Sequence, residues 1–354
     1  MGHERTCLQP RSVPCYRFAM VKEVKAAARK QHFVPQFYLR GFVGEKDRLF
    51  VVDRPSRKTF RTAPKNVAAE RDFNRVDVQG MDPNAVEKAL ADFEGKVAPA
   101  FERVKAAKSL ANKDDRDAVM NLICALAIRN PRQRAAINDF IGELEQRVVE
   151  VGLETKERWE SQVAQMKAAG IWDDSSNVSY ESMKKFIEER RYKIEVAKEY
   201  NVLVEIEQHD RLLQHLGNWK WQVLEANKGS GGFVTSDVPV CITWSDGQDH
   251  GVFSPGFGVP GTEVIVPIST KLALRGTFEG EENVVEADIF TVGSVNSIVI
   301  SNAEKQVHAH DYSFNYVRPF PGEIGSGATL IQDEKFLAAA EKPEVGKVVP
   351  LRSK

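Results

Sequence analysis

Residues 211–226, RLLQHLGNWKWQVLEA, change character at their midpoint. Up to Leu216 they continue a charged, helical pattern, and Gly217 is the type of residue that ends a helix. From Asn218 the stretch NWKWQVLEA alternates as a strand does. Upstream of this changeover the patterns are mostly helical; downstream they are mostly strand-like. The expected fold is therefore α+β, with a helical middle containing a long antiparallel helical hairpin and a mostly antiparallel C-terminal sheet.

Working upstream, two charged segments almost free of glycine run from Pro131 to about Ala169 and from Ser179 to about Leu216, broken at Gly170 and DDSSN. They are expected to pair as one hairpin over residues 132–216. Its mixed charges (ETKERWE, KKFIEERRYK) read as a solvated face, or as a surface for a protein partner. Before them, Asp82-Pro83 reads as a helix start. Val86, Leu90, Phe93, Val97, Phe101 and Val104 line one face of that helix, and Pro99 is expected to kink it. Asn112 with Asp115 starts a second helix, and Asn130-Pro131 ends it and starts a third. Nearer the N-terminus, RLFVVDR and KTFRTA flank a Pro55-Ser56 turn as a hairpin.

Downstream, GSGG reads as a turn and GFVTSD as the strand that pairs back on NWKWQVLEA. TEVIVPI and KLALRGTF are two further strands, ADIFTVGSVNSIVISNA a helix, and KQVHAHDYSF a strand. Residues 246–261 form a long Gly/Pro loop. Residues 319–354 are expected to be a peripheral tail, and 20–318 a single large α+β domain.

Composition limits the function classes. The chain has 354 residues, with 49 Lys+Arg against 50 Asp+Glu and a formal net charge of −1. That balance excludes binding to nucleic acid by bulk electrostatics and leaves room for a local basic groove. Four Cys are too few for a disulfide scaffold, and no apolar run reaches the roughly 20 residues of a spanning helix. Residues 1–19 lack both a hydrophobic face and a secretory core, so Met20 is expected to be the start and 1–19 a non-native leader. The expected location is cytoplasmic.

Most catalytic motifs fail on context. Gly256-Phe-Gly258-Val-Pro-Gly261 spells G-x-G-x-x-G, but a loop precedes it and a strand follows, so it is no dinucleotide site. Glu94-Gly95-Lys96 resembles a nuclease E-x-K yet sits on a helical pattern. His308 and His310, two apart on a strand, would point to one face as a pair of metal ligands; the alternative is a hydrogen-bonded pair. Asp237, in Ser236-Asp237-Val238-Pro239, is either a backbone-capping carboxylate or one that orients a catalytic group. No cofactor is named by any motif.

The segment His32-Phe-Val-Pro35-Gln-Phe-Tyr38-Leu-Arg40-Gly-Phe42 is the most distinctive. Its aromatics suit a core, and a neutral His32 suits a general base or a ligand. This segment is similar to the signature of domain-of-unknown-function family 4238, a His-x-x-Pro-x-x-Tyr-Leu-x-x-Phe pattern matched by His32, Pro35, Tyr38, Leu39 and Phe42. A later Ser-Asp-x-Pro element corresponds to Ser236, Asp237 and Pro239, with Val238 where Asn is common. Pro267, Ile268 and Ser269 match a following step, and Ala127-Ile-Arg129-Asn-Pro131-Arg132 resembles a Leu-Arg-x-Pro-Arg pattern. The resemblance implies a start near Met20 and supplies no reaction.

Two functions are carried forward. The first is a hydrolase-like enzyme on phosphodiester or nucleotide substrates, small-molecule or nucleic-acid, with His32 as base, Asp237 orienting it, and Arg40 or Arg129 neutralising a developing anion. The alternative is a non-enzymatic interaction protein whose helical hairpin binds a partner.

Overall fold

The computed structural model describes residues 30–172, 178–189, 194–248, 250–251, 253–318 and 322–337; the proposed leader, 1–19, lies outside them. The N-terminal part runs β1 (Lys30–His32), α1 (Gln36–Leu39), β2 (Leu49–Asp53), β3 (Lys58–Thr62) and β4 (Ala69–Arg71). The helical middle holds α2 (Ala85–Ala107), α3 (Lys113–Ile128), α4 (Pro131–Gly152), α5 (Lys156–Ala168), α6 (Tyr180–Glu188) and α7 (Lys198–Gly217). The C-terminal part runs β5 (Lys220–Ala226), β6 (Thr235–Ser236), β7 (Cys241–Trp244), β8 (Thr262–Pro267), β9 (Leu272–Thr277) and β10 (Val284–Ala287). It continues through α8 (Ile289–Asn302), β11 (Gln306–Ala309), β12 (Asn315–Val317), β13 (Ile324–Ser326) and α9 (Glu334–Leu337). The protein is α+β, as its patterning implies.

Two sheets organise the chain. One has the order β10-β5-β9-β8-β7, antiparallel except for the β10–β5 pair; the other is β3-β2-β11-β6, antiparallel throughout. Alternation along the strands gives each sheet two apolar faces. Trp221, Val223, Val264, Val266, Leu272 and Leu274 join a core shared with α2, α3, α7 and the N-terminal segment. The intervening Leu224, Ile265 and Ala273 join a second core with α8, β11 and Phe314. In β2, Leu49 and Val51 face the first core while Phe50 and Val52 face the second.

Local signals set most helix ends. The Asn112 side chain accepts from the Asp115 amide and that of Asn130 from Gln133, with Pro131 opening α4. Ser179 caps α6 and Asp288 caps α8 in the same way. The α2 start is displaced: Asn84 precedes Ala85, while Asp82 accepts from the Asn84 amide and pairs with Lys88. Helix α2 continues through the exposed Pro99.

Three expectations are corrected. The long hairpin over 132–216 is four helices, because Thr155 begins α5 with its own side-chain cap and α7 starts only at Lys198. The stretch GFVTSD does not pair with β5. Gly231 and Gly232 take positive φ and pass so close to Ser313 O and Thr270 O that a Cβ would collide. The chain thereby crosses to the other sheet, where β6 pairs with β11 and leaves β5 to β9 and β10. The segment after 318 is not merely peripheral: β13 pairs with β12, and Leu330 and Phe336 are buried. Residues 338–354 lie outside the described residues.

Candidate functional site

The distinctive N-terminal segment is mainly a fastening. Phe33, Tyr38, Leu39 and Phe42 are buried, and the Tyr38 hydroxyl lies 3.0 Å from Thr235 Oγ1 and 2.5 Å from Pro267 O. It thus ties α1 to one strand from each sheet. Ser269 serves a tight turn, its Oγ accepting from the Lys271 and Leu272 amides.

Asp237 is buried and accepts three backbone amides, Glu304 at 3.0 Å, Lys305 at 2.7 Å and Gln306 at 3.2 Å. Burial pushes its carboxyl upward, and those three bonds pull the other way. Both oxygens are committed to the start of β11, and neither is bonded to His32. The capping reading of Asp237 therefore fits its contacts, and the expected His32–Asp237 pair is not assembled. Arg40 is exposed in a 3-10 turn after α1.

His308 and His310 do not form a metal pair with a third ligand. His308 is fully buried between β2 and β6, opposite Val51 and Thr235, with Nε2 3.4 Å from Gln306 Oε1. Burial lowers its pKa to about 3. His310 lies beyond the strand, 3.2 Å from Asp311 Oδ2. Among the described residues, no group of three or more His, Cys, Asp or Glu is placed to hold a metal ion.

Arg129 falls into a polar network that begins at Gln31, the neighbour of His32. His32 ends β1 opposite Ala69; burial and the Lys30 charge lower its pKa, against the Lys65 carbonyl and the Glu87 charge. The neighbouring Gln31 accepts the Asn74 amide at 2.6 Å, and Asn74 Nδ2 donates to Glu87 at 2.7 Å. Asn74 Oδ1 in turn accepts from Arg129 Nη1 at 3.3 Å. Arg129 is the residue after α3 and is only 6% exposed. Burial lowers its pKa, while Glu205, Glu94 and Glu87 hold it charged. Glu94, on α2, is pushed up by burial and held down by Arg129. On α7, Glu205 makes a buried two-point pair with Arg134 at 2.5 and 2.9 Å, and the Arg134 guanidinium lies 3.7 Å from the Phe73 ring centre.

Beside this network, α2, α3 and α7 enclose a cavity of about 320 Å³. Its walls are mostly aliphatic, and Arg129, Glu205, His209 and Asp210 are the polar residues among them. Arg129 Nε, His209 Nε2, His32 Nε2 and Gln31 Nε2 are buried without a hydrogen-bond partner. Burial lowers the His209 pKa, leaving a neutral imidazole near pH 7. Of these residues Arg129 and His209 line the cavity, and unused buried polar atoms beside an open space are the usual mark of a site that receives polar atoms from a ligand.

Residues 30–313 match the family described as Protein of unknown function (DUF4238). The chain belongs to the DUF4238 family. No curated protein and no solved structure matches it. Within this DUF4238 chain the motif residues play two different roles. Tyr38, Asp237 and Ser269 hold backbone together, while Arg129 faces the cavity. Sequence reading missed Glu205 and His209. Their signal was the spacing Val202, Glu205, His209, Leu212 and Leu216, which lays two ionisable residues along a buried helical stripe.

Proposed function

We propose that the protein is a hydrolase-like enzyme whose substrate occupies the cavity between α2, α3 and α7. Arg129 holds the substrate's anionic group and His209 acts as the base. The observation that carries this reading is that one cavity is lined both by the buried Arg129, whose Nε is unused, and by His209, an imidazole with a free nitrogen. A cation preorganised in a site of low dielectric stabilises developing negative charge, and a neutral imidazole accepts a proton. His209 replaces His32 in this role because His209 lines the cavity. Phosphodiesters remain the favoured phosphate class: Glu205, Glu94 and Glu87 outnumber the two cations Arg129 and Arg134 that act on one another there, so a monoanion is accepted more readily than a dianion.

The test is a turnover screen with phosphodiester, nucleotide and carboxylic-ester substrates. His209→Ala is expected to lower kcat about 10²- to 10⁴-fold, while the folded His32→Ala protein keeps most of its activity. Because the base must be unprotonated and its pKa is lowered, kcat/KM should fall only below pH 6.5. Unchanged turnover in His209→Ala removes the mechanism.

The interaction reading has one observation in its favour. Phe140, Leu144, Val148 and Val151 stand exposed along α4 at helical spacing. If no substrate turns over and Phe140→Asp abolishes association with a protein partner, that reading replaces the enzymatic one.

A further inference from the structure

The cavity's shape and chemistry restrict what can enter it. A cavity of about 150 Å³ accommodates one benzene ring, so 320 Å³ suits a ligand of roughly a dozen non-hydrogen atoms. A nucleoside monophosphate has about twice that number, so the cavity can take in only part of it. The walls are apolar: Leu90 and Phe93 from α2, Ile128 from α3, and Val202 and Ile206 from α7. Ile206 is 64% exposed, so the space opens beside it. Arg129 lines the cavity and its buried Nε–H has no partner, and a guanidinium, a donor of fixed planar geometry, suits a carboxylate.

Acidic neighbours sharpen the choice. Glu205 has both oxygens on Arg134, and Asn74 occupies Arg129 Nη1. What remains at Arg129 is a partly compensated charge with a free N–H, which matches one negative charge and not two. An apolar body attached to a monoanion satisfies both the apolar walls and Arg129 at once.

We infer that the cavity binds a small monocarboxylate with an apolar body, its carboxylate accepting from the Arg129 guanidinium and its chain lying between α2 and α7. This rests on the reading of the Arg129 cavity as the substrate site, and it names the substrate or product class that site takes. An acid of this kind is what hydrolysis of a short acyl ester or amide releases. In that reaction the carbonyl–heteroatom bond breaks, water supplies the hydroxyl, and the departing alcohol or amine takes the proton that His209 removed.

The experiment is calorimetric titration of the full chain with octanoate, 1-octanol, octyl phosphate and adenosine monophosphate. Octanoate is expected to bind one to one and at least tenfold more tightly than the other three. Arg129→Gln should reduce octanoate to the level of octanol. Because Arg129→Gln can disturb folding, Ala125→Phe, which fills the cavity and leaves Arg129 in place, provides a second arm; it should abolish octanoate binding at an unchanged circular dichroism spectrum. Octanoate binding no tighter than octanol, tighter binding of adenosine monophosphate, or octanoate binding untouched by Ala125→Phe would each overturn the inference. Binding needs no turnover, so the two claims fail separately. A His209-dependent phosphodiesterase that ignores octanoate refutes the substrate class alone, whereas tight octanoate binding without any hydrolysis refutes the enzymatic reading alone.

Discussion

At the scale of single residues, the same side-chain types serve opposite ends. Asp237 and Arg129 are both buried and charged, yet Asp237 has three amides to satisfy it, whereas Arg129 keeps a donor unused. A satisfied buried charge holds structure, and an unsatisfied one beside a cavity is available to a ligand. Sequence could say that Asp237 stands at a turn; it could not say which backbone that carboxylate would meet, because Glu304 to Gln306 lie almost seventy positions away. His308 gives a prediction at this scale. Its folded pKa of about 3 lies below the ordinary 6.5, so between those values the unfolded chain binds the extra proton. Stability is therefore intact above pH 6.5 and falls by about 1.4 kcal/mol per pH unit below it. Urea titrations of wild type and His308→Leu between pH 7 and pH 5 should show the wild type losing stability faster; parallel curves would refute the assignment.

Among elements, what was legible was local and what was hidden was distant. Caps such as Asn112, Asn130 and Asp288 act within three residues and can be read directly. Strand partners cannot: β6 has an alternating approach like any hairpin strand, and only the steric demands at Gly231 and Gly232 direct it to the other sheet. The break between α4 and α5 hid for a different reason, since one Thr in a charged run looks like any exposed position. The tail also gained structure through distant contacts. Phe336 packs edge-on against Tyr316 at 5.1 Å, and the Tyr316 hydroxyl donates to Asp333 at 2.9 Å. Phe336→Ala should cost about 3–5 kcal/mol by the rule for buried aromatics. A denaturation midpoint unchanged by that substitution would mean that the tail contributes nothing to the fold.

For the whole molecule, the five-stranded sheet is the shared wall of two cores. Consecutive residues such as Leu272, Ala273 and Leu274 serve alternate sides, so neither core can lose its sheet face while the other keeps it. A single cooperative transition follows. Val119→Ala, in the helical core, and Val299→Ala, in the other, should each shift one common midpoint. Far-ultraviolet circular dichroism and tryptophan fluorescence, to which the buried Trp219 and Trp221 contribute, should give coincident curves; two separated transitions would show that the cores unfold independently.

The Tyr38 fastening has a consequence in time. Its hydroxyl meets Thr235 and Pro267, and the second partner lies 229 residues later in the chain. At about 5–20 residues per second, synthesis takes roughly eleven to forty-six seconds to travel that distance. Throughout that interval the Tyr38 hydroxyl lacks its Pro267 partner, and the rings of Phe33 and Tyr38 have only earlier residues such as Phe73 and Phe101 to pack on. The segment can therefore pack early through its rings, while its hydrogen bond to the sheet must wait for β8 to be made.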